Sequence, residues 1–241
     1  MLSKFVQRCG RAAGVEIRRS TPTSDSTGWL LGFARAAGVT TIIDVGANTG
    51  QFGQTMIAAG WKRRLVSFEP LSAAHARLVE TAGRNPQWHV APRTAIGAQR
   101  GTAEINIAGN SQSSSLLPML ERHLSAAPTS SYVGTETISV ATLDDALAGY
   151  APSECYMLKM DVQGFEAEVL RGAPRTLHRT AVIYAEMSLQ PLYEGEPVFT
   201  DLSRDIMALG YRCVGLQPGY TDASNREMLQ VDGVFVRNTD R

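Results

Sequence analysis

The stretch Thr-Ile-Ile-Asp-Val-Gly-Ala-Asn-Thr-Gly-Gln-Phe-Gly, Thr41 to Gly53, constrains this chain more than any other. Ile42, Ile43 and Val45 make a short β-branched run that reads as a buried strand. The run breaks at Gly46, and the chain turns through Ala47, Asn48 and Thr49 to Gly50. Phe52, Met56, Ile57 and Trp61 follow at spacings that fit one helical face. Strand, glycine turn and helix together set backbone amides around a nucleotide-like ligand.

The same alternation recurs downstream. Strands are expected over Arg64–Phe68, Trp88–Ala95, Tyr156–Met160 and Ala181–Ala185. Helices are expected over Gln51–Ala59, Ala73–Ala82, Phe165–Arg171 and Asp201–Leu209. Repeated strand–helix units imply right-handed crossovers and an α/β fold with a mostly parallel sheet. Tyr211–Leu216 and Gly233–Arg237 read as two last strands, joined without a helix and so free to pair antiparallel. Between Gly97 and Tyr150 the rhythm changes. Gly101–Ala108 alternates like a half-exposed strand, Asn110–Pro118 is a serine-rich loop, and the weakly patterned Met119–Thr135 reads as a mobile lid. Thr137–Val140 reads as a strand, with Thr142 as the N-cap of a helix after it.

Ahead of the first strand, Trp29–Ala37 reads as a short helix on the core and Thr21–Thr27 as a polar loop. Leu2, Phe5, Val6 and Cys9 lie at helical spacing among Lys4, Arg8, Arg11, Arg18 and Arg19. That segment reads as a helix covering the domain edge, or else as a basic amphipathic patch making peripheral contact with an anionic membrane. The 23 basic and 23 acidic residues cancel, which argues against a nucleic-acid partner. The three cysteines form no C-x-x-C pair, and no apolar run approaches the ~20 residues of a membrane span. Lys4, Arg8 and Arg11 interrupt any signal-peptide core. A cytoplasmic location is the expectation. No feature of the chain specifies an oligomeric state.

The residues of the turn narrow the ligand. A dinucleotide fingerprint would place glycines where Asn48 and Gln51 stand, and a P-loop would need a Lys followed by Ser or Thr. What is present is a carboxylate at the strand end, Asp44, and an asparagine in the turn. They suit a ligand with a positive charge and an amine, such as S-adenosylmethionine, better than a diphosphate. Glu69 follows 19 residues after Gly50 at the end of the next strand. An acidic residue near the ~20-residue offset accepts ribose hydroxyls, and an ionised carboxylate can take both. The alternative is a cap on the following helix; with the glycine turn beside it, the ribose role is the stronger reading.

Lys159 and Asp161 share one face of their strand, and Asp161 sits at its carboxyl end, where ligands bind in open α/β sheets. A site role competes with a buried ion pair to Lys159. Glu166 falls in the first turn of the next helix and reads as structural. Glu186 ends the neighbouring strand, so Asp161 and Glu186 would flank one cleft. Either the pair handles the proton of an acceptor hydroxyl, or it holds Mg²⁺, or Glu186 is only a cap. His75, His89 and His178 read as structural. His123, in the lid, is the one histidine considered as a general base, with an exposed loop histidine as the more ordinary reading. Ser111 to Ser115 approach the ligand or form a simple polar turn.

Ile43–Phe52, Val66–Pro70, Ala95–Gly97, the serine loop, Val140–Asp145 and Leu158–Glu166 resemble, in order, the motif series of the FkbM family. These are S-adenosylmethionine-dependent O-methyltransferases of the Rossmann-like, seven-strand class. The resemblance runs from about Val39 to Val236, and the Lys159, Asp161, Gly164 and Glu166 motif makes it specific. It implies a methyltransferase domain over 39–241; the change of rhythm marks an insertion around 98–150, and the N-terminal segment over 1–38, read as helical from its spacing, falls outside the resemblance. It implies methylation of a hydroxyl on a sugar, a glycolipid or a polyketide-type product. The candidate cofactor-binding residues are Asp44, Gly46, Ala47, Asn48, Gly50, Phe52, Glu69, Pro70 and Ala95, and the candidate catalytic residues are Asp161 and Glu186. A nonenzymatic nucleotide-binding module and, less favoured by Asn48 and Gln51, an NAD-dependent oxidoreductase are the competing readings.

Overall fold

The computed structural model describes residues 26–151 and 154–238. The basic segment Met1–Arg19 lies outside the described residues. Seven strands form one sheet in the order β3-β2-β1-β7-β8-β10-β9: β1 (Thr41–Val45), β2 (Arg64–Phe68), β3 (Trp88–Val90), β7 (Tyr156–Met160), β8 (Thr180–Ser188), β9 (Tyr211–Pro218) and β10 (Gln230–Arg237). The first five are parallel to their neighbours, and β10 runs antiparallel between β8 and β9. Sequential strands spread one way from β1 and later ones the other way, so the switch point lies between β1 and β7. In an open α/β sheet that is where a crevice forms at the carboxyl ends of the strands.

Both sheet faces are covered. One side packs Ile43, Val66, Leu158 and Ile183 with Leu170, Leu202 and Ile206, the last three from α6 (Glu166–Arg171) and α8 (Phe199–Ala208). The other packs Ile42, Leu65, Met157 and Val182 with residues of α1 (Ser26–Ala36), α2 (Gln51–Ala58) and α3 (Ser72–Ala82). Ser26 and Thr27 lie in helix α1 and not in a polar loop.

Register carries a row of polar residues through this apolar sheet. Ser67 on β2, Asp44 on β1, Lys159 on β7 and Tyr184 on β8 are successive Cα partners. Neighbours in one row face the same way, so their side chains meet.

Two expectations are corrected. Trp88–Ala95 is not one strand. β3 ends at Val90, and Pro92, which has no N–H to donate, separates it from β4 (Ala95–Ile96). β4 joins a second sheet of order β4-β6-β5, with β5 (Gly101–Ala108) and β6 (Tyr132–Ala141). Ile105 and Ile138 of this small sheet pack on Leu71 and Ala74. Likewise β8 does not stop at Ala185: pairing with β10 carries it to Ser188, so Glu186 lies within the strand opposite Asp232. The lid segment holds α4 (Glu121–Ala126) and a 3-10 turn, Pro128–Ser130, before β6. Thr142 caps α5 (Leu143–Ala146) by accepting the Asp145 N–H, as its sequence context indicates. Short α7 (Pro174–Leu177) precedes β8.

Candidate active site

A cavity of about 840 Å³ opens over the carboxyl ends of β1, β2, β7 and β8. That is within the ~300–1,000 Å³ common for small-molecule sites. Its walls include Gly46, Ala47, Asn48, Phe52, Glu69, Pro70, Ala95, Asp161 and Glu186. Nine candidates from scattered stretches thus converge on one space. Asp44 and Gly50 are not in its wall.

Asp44 is fully buried behind it. Its Oδ2 accepts from Ser67 Oγ at 3.1 Å, and its Oδ1 lies 3.0 Å from Lys159 Nζ. Lys159 also donates to the Gly46 carbonyl at 2.9 Å and lies 3.6 Å from Asp161 Oδ2. Burial alone would lower the ammonium's pKa, but the carboxylates of Asp44 and Asp161 outweigh it and hold it above lysine's usual value. The ion pair weighed for Asp161 therefore exists, with Asp44 as the nearer partner. Asp44 reaches the site through Lys159, which pins the turn from below. The row register places its carboxylate against lysine and outside the cavity wall.

The turn itself is closed on its own hydrogen bonds. The Gly46 and Ala47 amides donate to the Phe68 carbonyl, that of Asn48 to Glu69 Oε2 at 2.8 Å, that of Thr49 to Asn48 Oδ1, and that of Gly50 to the Ala47 carbonyl. No amide from 46 to 50 is left to cradle an anion. Gly46 has φ +77°, and a Cβ there would overlap the Asp161 carbonyl oxygen, so only glycine fits where the turns after β1 and β7 touch. Gly50, at φ +93°, shapes the turn over Trp88 and does not face the cavity.

Glu69 is buried, with Oε2 accepting from Asn48 and Oε1 accepting from the Leu71 amide at 2.9 Å. Burial pushes its carboxyl up to about 7, against the pull of those two amides. Each oxygen keeps a lone pair for a further donor. Asn48 Nδ2 donates to Ser111 Oγ at 3.2 Å, tying the turn to the serine loop, which lines the cavity from Asn110 to Ser115. Phe52 stacks on Tyr184, with centroids 6.0 Å apart, and lies 5.5 Å from Lys159 Nζ.

Asp161 and Glu186 meet through a residue the sequence reading passed over. Gln163 Nε2 donates to Asp161 Oδ1 at 2.8 Å and to Glu186 Oε2 at 2.6 Å. Tyr193 Oη donates to Gln163 Oε1 at 2.7 Å, which fixes the amide with its NH₂ toward the carboxylates. Gln163 holds φ +53°, uncommon outside glycine, and its carbonyl accepts from Ser115 Oγ at 2.7 Å. Gln230 Nε2 also donates to Glu186 Oε2, and Tyr184 Oη donates to Asp232 Oδ2, both at 2.8 Å. Burial and the Asp161 carboxylate hold Glu186 well above the usual carboxylate range; burial lifts Asp232 to about 6. The only sequence sign of Gln163 is its place before Gly164 in the turn after β7. Glu166 accepts from the Val162 amide and is structural in its contacts.

The described residues contain no group of three His, Cys, Asp or Glu side chains placed to hold a metal ion. Between the two carboxylates considered for Mg²⁺ stands the Gln163 amide. His123 is not an exposed loop residue: it is 3% exposed on α4, edge-on to Tyr193, and lines the cavity. His75 Nε2 meets the Ala91 carbonyl, while His89 and His178 are exposed.

The family model described as the methyltransferase FkbM domain matches residues 44–213. The chain belongs to the FkbM methyltransferase family. The match spans the turn after β1, the small sheet and the Lys159–Glu166 motif, so this methyltransferase domain contains every candidate residue. A relative, the 2-O-methyltransferase NoeI of Sinorhizobium fredii (strain NBRC 101917 / NGR234), is 30% identical over 161 residues, covering 64% of this chain. The match spans 66% of that relative's length, just under two thirds. Among solved structures, magnesium protoporphyrin IX methyltransferase from Synechocystis PCC 6803 with bound SAM is similar at 9% identity and a TM-score of 0.49, over 98% of this chain and 92% of that one. The Methanococcus jannaschii fibrillarin pre-rRNA processing protein is similar at 10% identity and a TM-score of 0.49, over 84% and 68%. No described helix of this FkbM-family chain is long and apolar enough to cross a membrane.

Proposed function

We propose that the protein transfers the methyl group of S-adenosylmethionine to a hydroxyl oxygen of a sugar, glycolipid or polyketide-type acceptor. The observation that carries this reading is the convergence of Glu69 and the Gly46–Gly50 turn with the Asp161–Gln163–Glu186 group on one cavity of a methyltransferase domain. The turn suits this donor: its amides are internally satisfied, so it has no cradle for a diphosphate, and the four acidic side chains of the wall are ones that a bound cation would hold ionised.

When bound, the donor supplies an electrophilic methyl on a sulfonium. Glu69 accepts the ribose hydroxyls through its free lone pairs, and Asn48 and the serine loop close that end. Phe52, Pro70 and Ala95 supply apolar wall. Asp161 and Glu186 take the acceptor side. One of them receives the hydroxyl proton as the oxygen attacks, an assistance worth about 10²–10⁴-fold. The wall groups hold oxygen and methyl in line and keep water out.

Glu69→Ala is expected to weaken S-adenosylhomocysteine binding measured by calorimetry; an unchanged affinity refutes the ribose role. Asp161→Asn and Glu186→Gln are expected to slow single-turnover transfer while sparing that affinity. If both variants keep full rates, the acceptor-side assignment fails. Mass spectrometry of host glycosides and glycolipids, with and without the protein, should reveal the gain of a methyl group. Mg²⁺ or a chelator is expected to leave the rate unchanged.

A further inference from the structure

The cavity wall has two chemically different parts. Along the sheet it carries Glu69, Asp161, Glu186 and Asp232, with Lys159 as its one basic side chain besides His123. Lys159 is already engaged by Asp44, Asp161 and the Gly46 carbonyl. The part contributed by α4, the 3-10 turn and the β9–β10 loop, with His123, Pro128, Ser130, Tyr220 and Thr221, carries no Asp, Glu, Lys or Arg. His123 sits there edge-on to Tyr193 at 5.2 Å and tilted to Tyr220 at 6.2 Å. Its Nδ1 is buried with no hydrogen-bond partner. Buried polar atoms are nearly always paired, so an unpaired nitrogen on a ring that lines the cavity is one that a ligand could satisfy by a turn of the ring.

We infer that this face is the acceptor subsite and that it takes an uncharged polyhydroxylated ring, with His123 as a hydrogen-bonding contact, and rejects phosphorylated or nucleotide-linked forms of the same ring. The inference rests on the proposed methyl transfer and narrows its acceptor. A phosphate is recognised by arginine or lysine forks, helix N-termini or free amide nests. The wall has no arginine, its lysine is taken, and the turn amides from 46 to 50 are spent. A phosphate dianion here would lose its hydration opposite carboxylates. Aromatic rings beside hydroxyls and one neutral imidazole suit a ring with alternating C–H faces and hydroxyl edges. Burial keeps His123 below histidine's ordinary pKa and so uncharged near neutral pH. In a reaction order, methylation would then follow the glycosyl transfer that removes the nucleotide carrier.

The test labels acceptors with methyl-labelled S-adenosylmethionine, using host glycoconjugates split by anion exchange into neutral and retained pools, alongside methyl glycosides paired with their 1-phosphates and nucleoside-diphosphate esters. Label is expected in the neutral members. His123→Phe keeps the ring and removes its nitrogens. It should raise the acceptor KM about three- to tenfold, with kcat and S-adenosylhomocysteine affinity unchanged. Transfer confined to phosphorylated or nucleotide-linked acceptors, or saturable binding of pyrophosphate by the S-adenosylhomocysteine-loaded protein, overturns the inference and leaves methyl transfer standing. An unchanged KM in His123→Phe overturns the histidine contact. Absence of label from both pools overturns the proposed function and this inference with it.

Discussion

The two ends of the cavity are built in opposite ways. The proposed donor end is local and over-determined: from Gly46 to Gly50 every amide has an internal acceptor, and Lys159 locks the turn from beneath. The proposed acceptor end is assembled from α4, the 3-10 turn and the β9–β10 loop, which are separated by about 90 residues of chain. Its one buried imidazole nitrogen is unpaired. A site that keeps one invariant ligand can close its hydrogen bonds in advance.

That contrast can be broken experimentally. The largest effect belongs to Gly46→Ala. Its Cβ meets the Asp161 carbonyl, and its φ is positive, so a loss of about 3 kcal/mol or more is expected in chemical denaturation, with cofactor binding lost. A stable, binding variant would show that the two turns are not locked together. Next comes Glu69→Gln, which removes a charged acceptor worth about 1.5–3 kcal/mol and should weaken S-adenosylhomocysteine some 10–100-fold by calorimetry. Because Glu69 titrates near 7, wild-type affinity should fall as pH drops from 8 to 6, and this variant should lose that dependence. On the acceptor side, Tyr193→Phe frees the Gln163 amide to turn. It should lower kcat about fivefold, near 1 kcal/mol, with cofactor affinity intact; equal loss of both would merge the two ends into one unit.

The smallest effect concerns pH and stability. Burial raises Glu69 and Glu166 to about 7 and Asp232 to about 6. A carboxyl whose folded pKa lies above its unfolded one contributes stability that is present below the unfolded pKa and lost as pH rises through the folded pKa. The apo protein should therefore lose melting temperature between pH 5 and pH 8. Asp144 and His123, both shifted down, act in the opposite sense toward acid. Glu166→Gln should make that alkaline loss smaller while leaving catalysis unchanged.

The same contrast explains what the sequence discloses. The strand–turn–helix at Thr41–Gly53 and the strand–helix alternation are contiguous runs, so these elements, and the place of Glu69 at the end of β2, are legible from periodicity, spacing and turn chemistry. The pairing of Asp44 with Lys159 was not legible, because an ion pair across strands depends on register and β1 and β7 are 111 residues apart. Gln163 and Tyr193 went unseen for a related reason. A polar residue in a turn looks like any other until a tyrosine 30 residues on fixes its amide. The strand over Trp88–Ala95 failed at Pro92, a punctuation mark present in the sequence and underweighted. His123 looked exposed because its short helix has little periodicity, and its burial comes from Tyr193 and Tyr220.

The row Ser67–Asp44–Lys159 has one more consequence, for the history of the chain. Removing Lys159 alone strands the fully buried Asp44 carboxylate, at a cost of about 3–5 kcal/mol, and removing Asp44 alone leaves the ammonium only its longer pair with Asp161 and the Gly46 carbonyl. Replacing both by well-packed apolar groups need cost little. The two positions are thus free to drift only in step. Across descendants of this gene, substitutions at 44 and 159 should arrive as couples, an inherited correlation between two distant letters imposed by one buried amine.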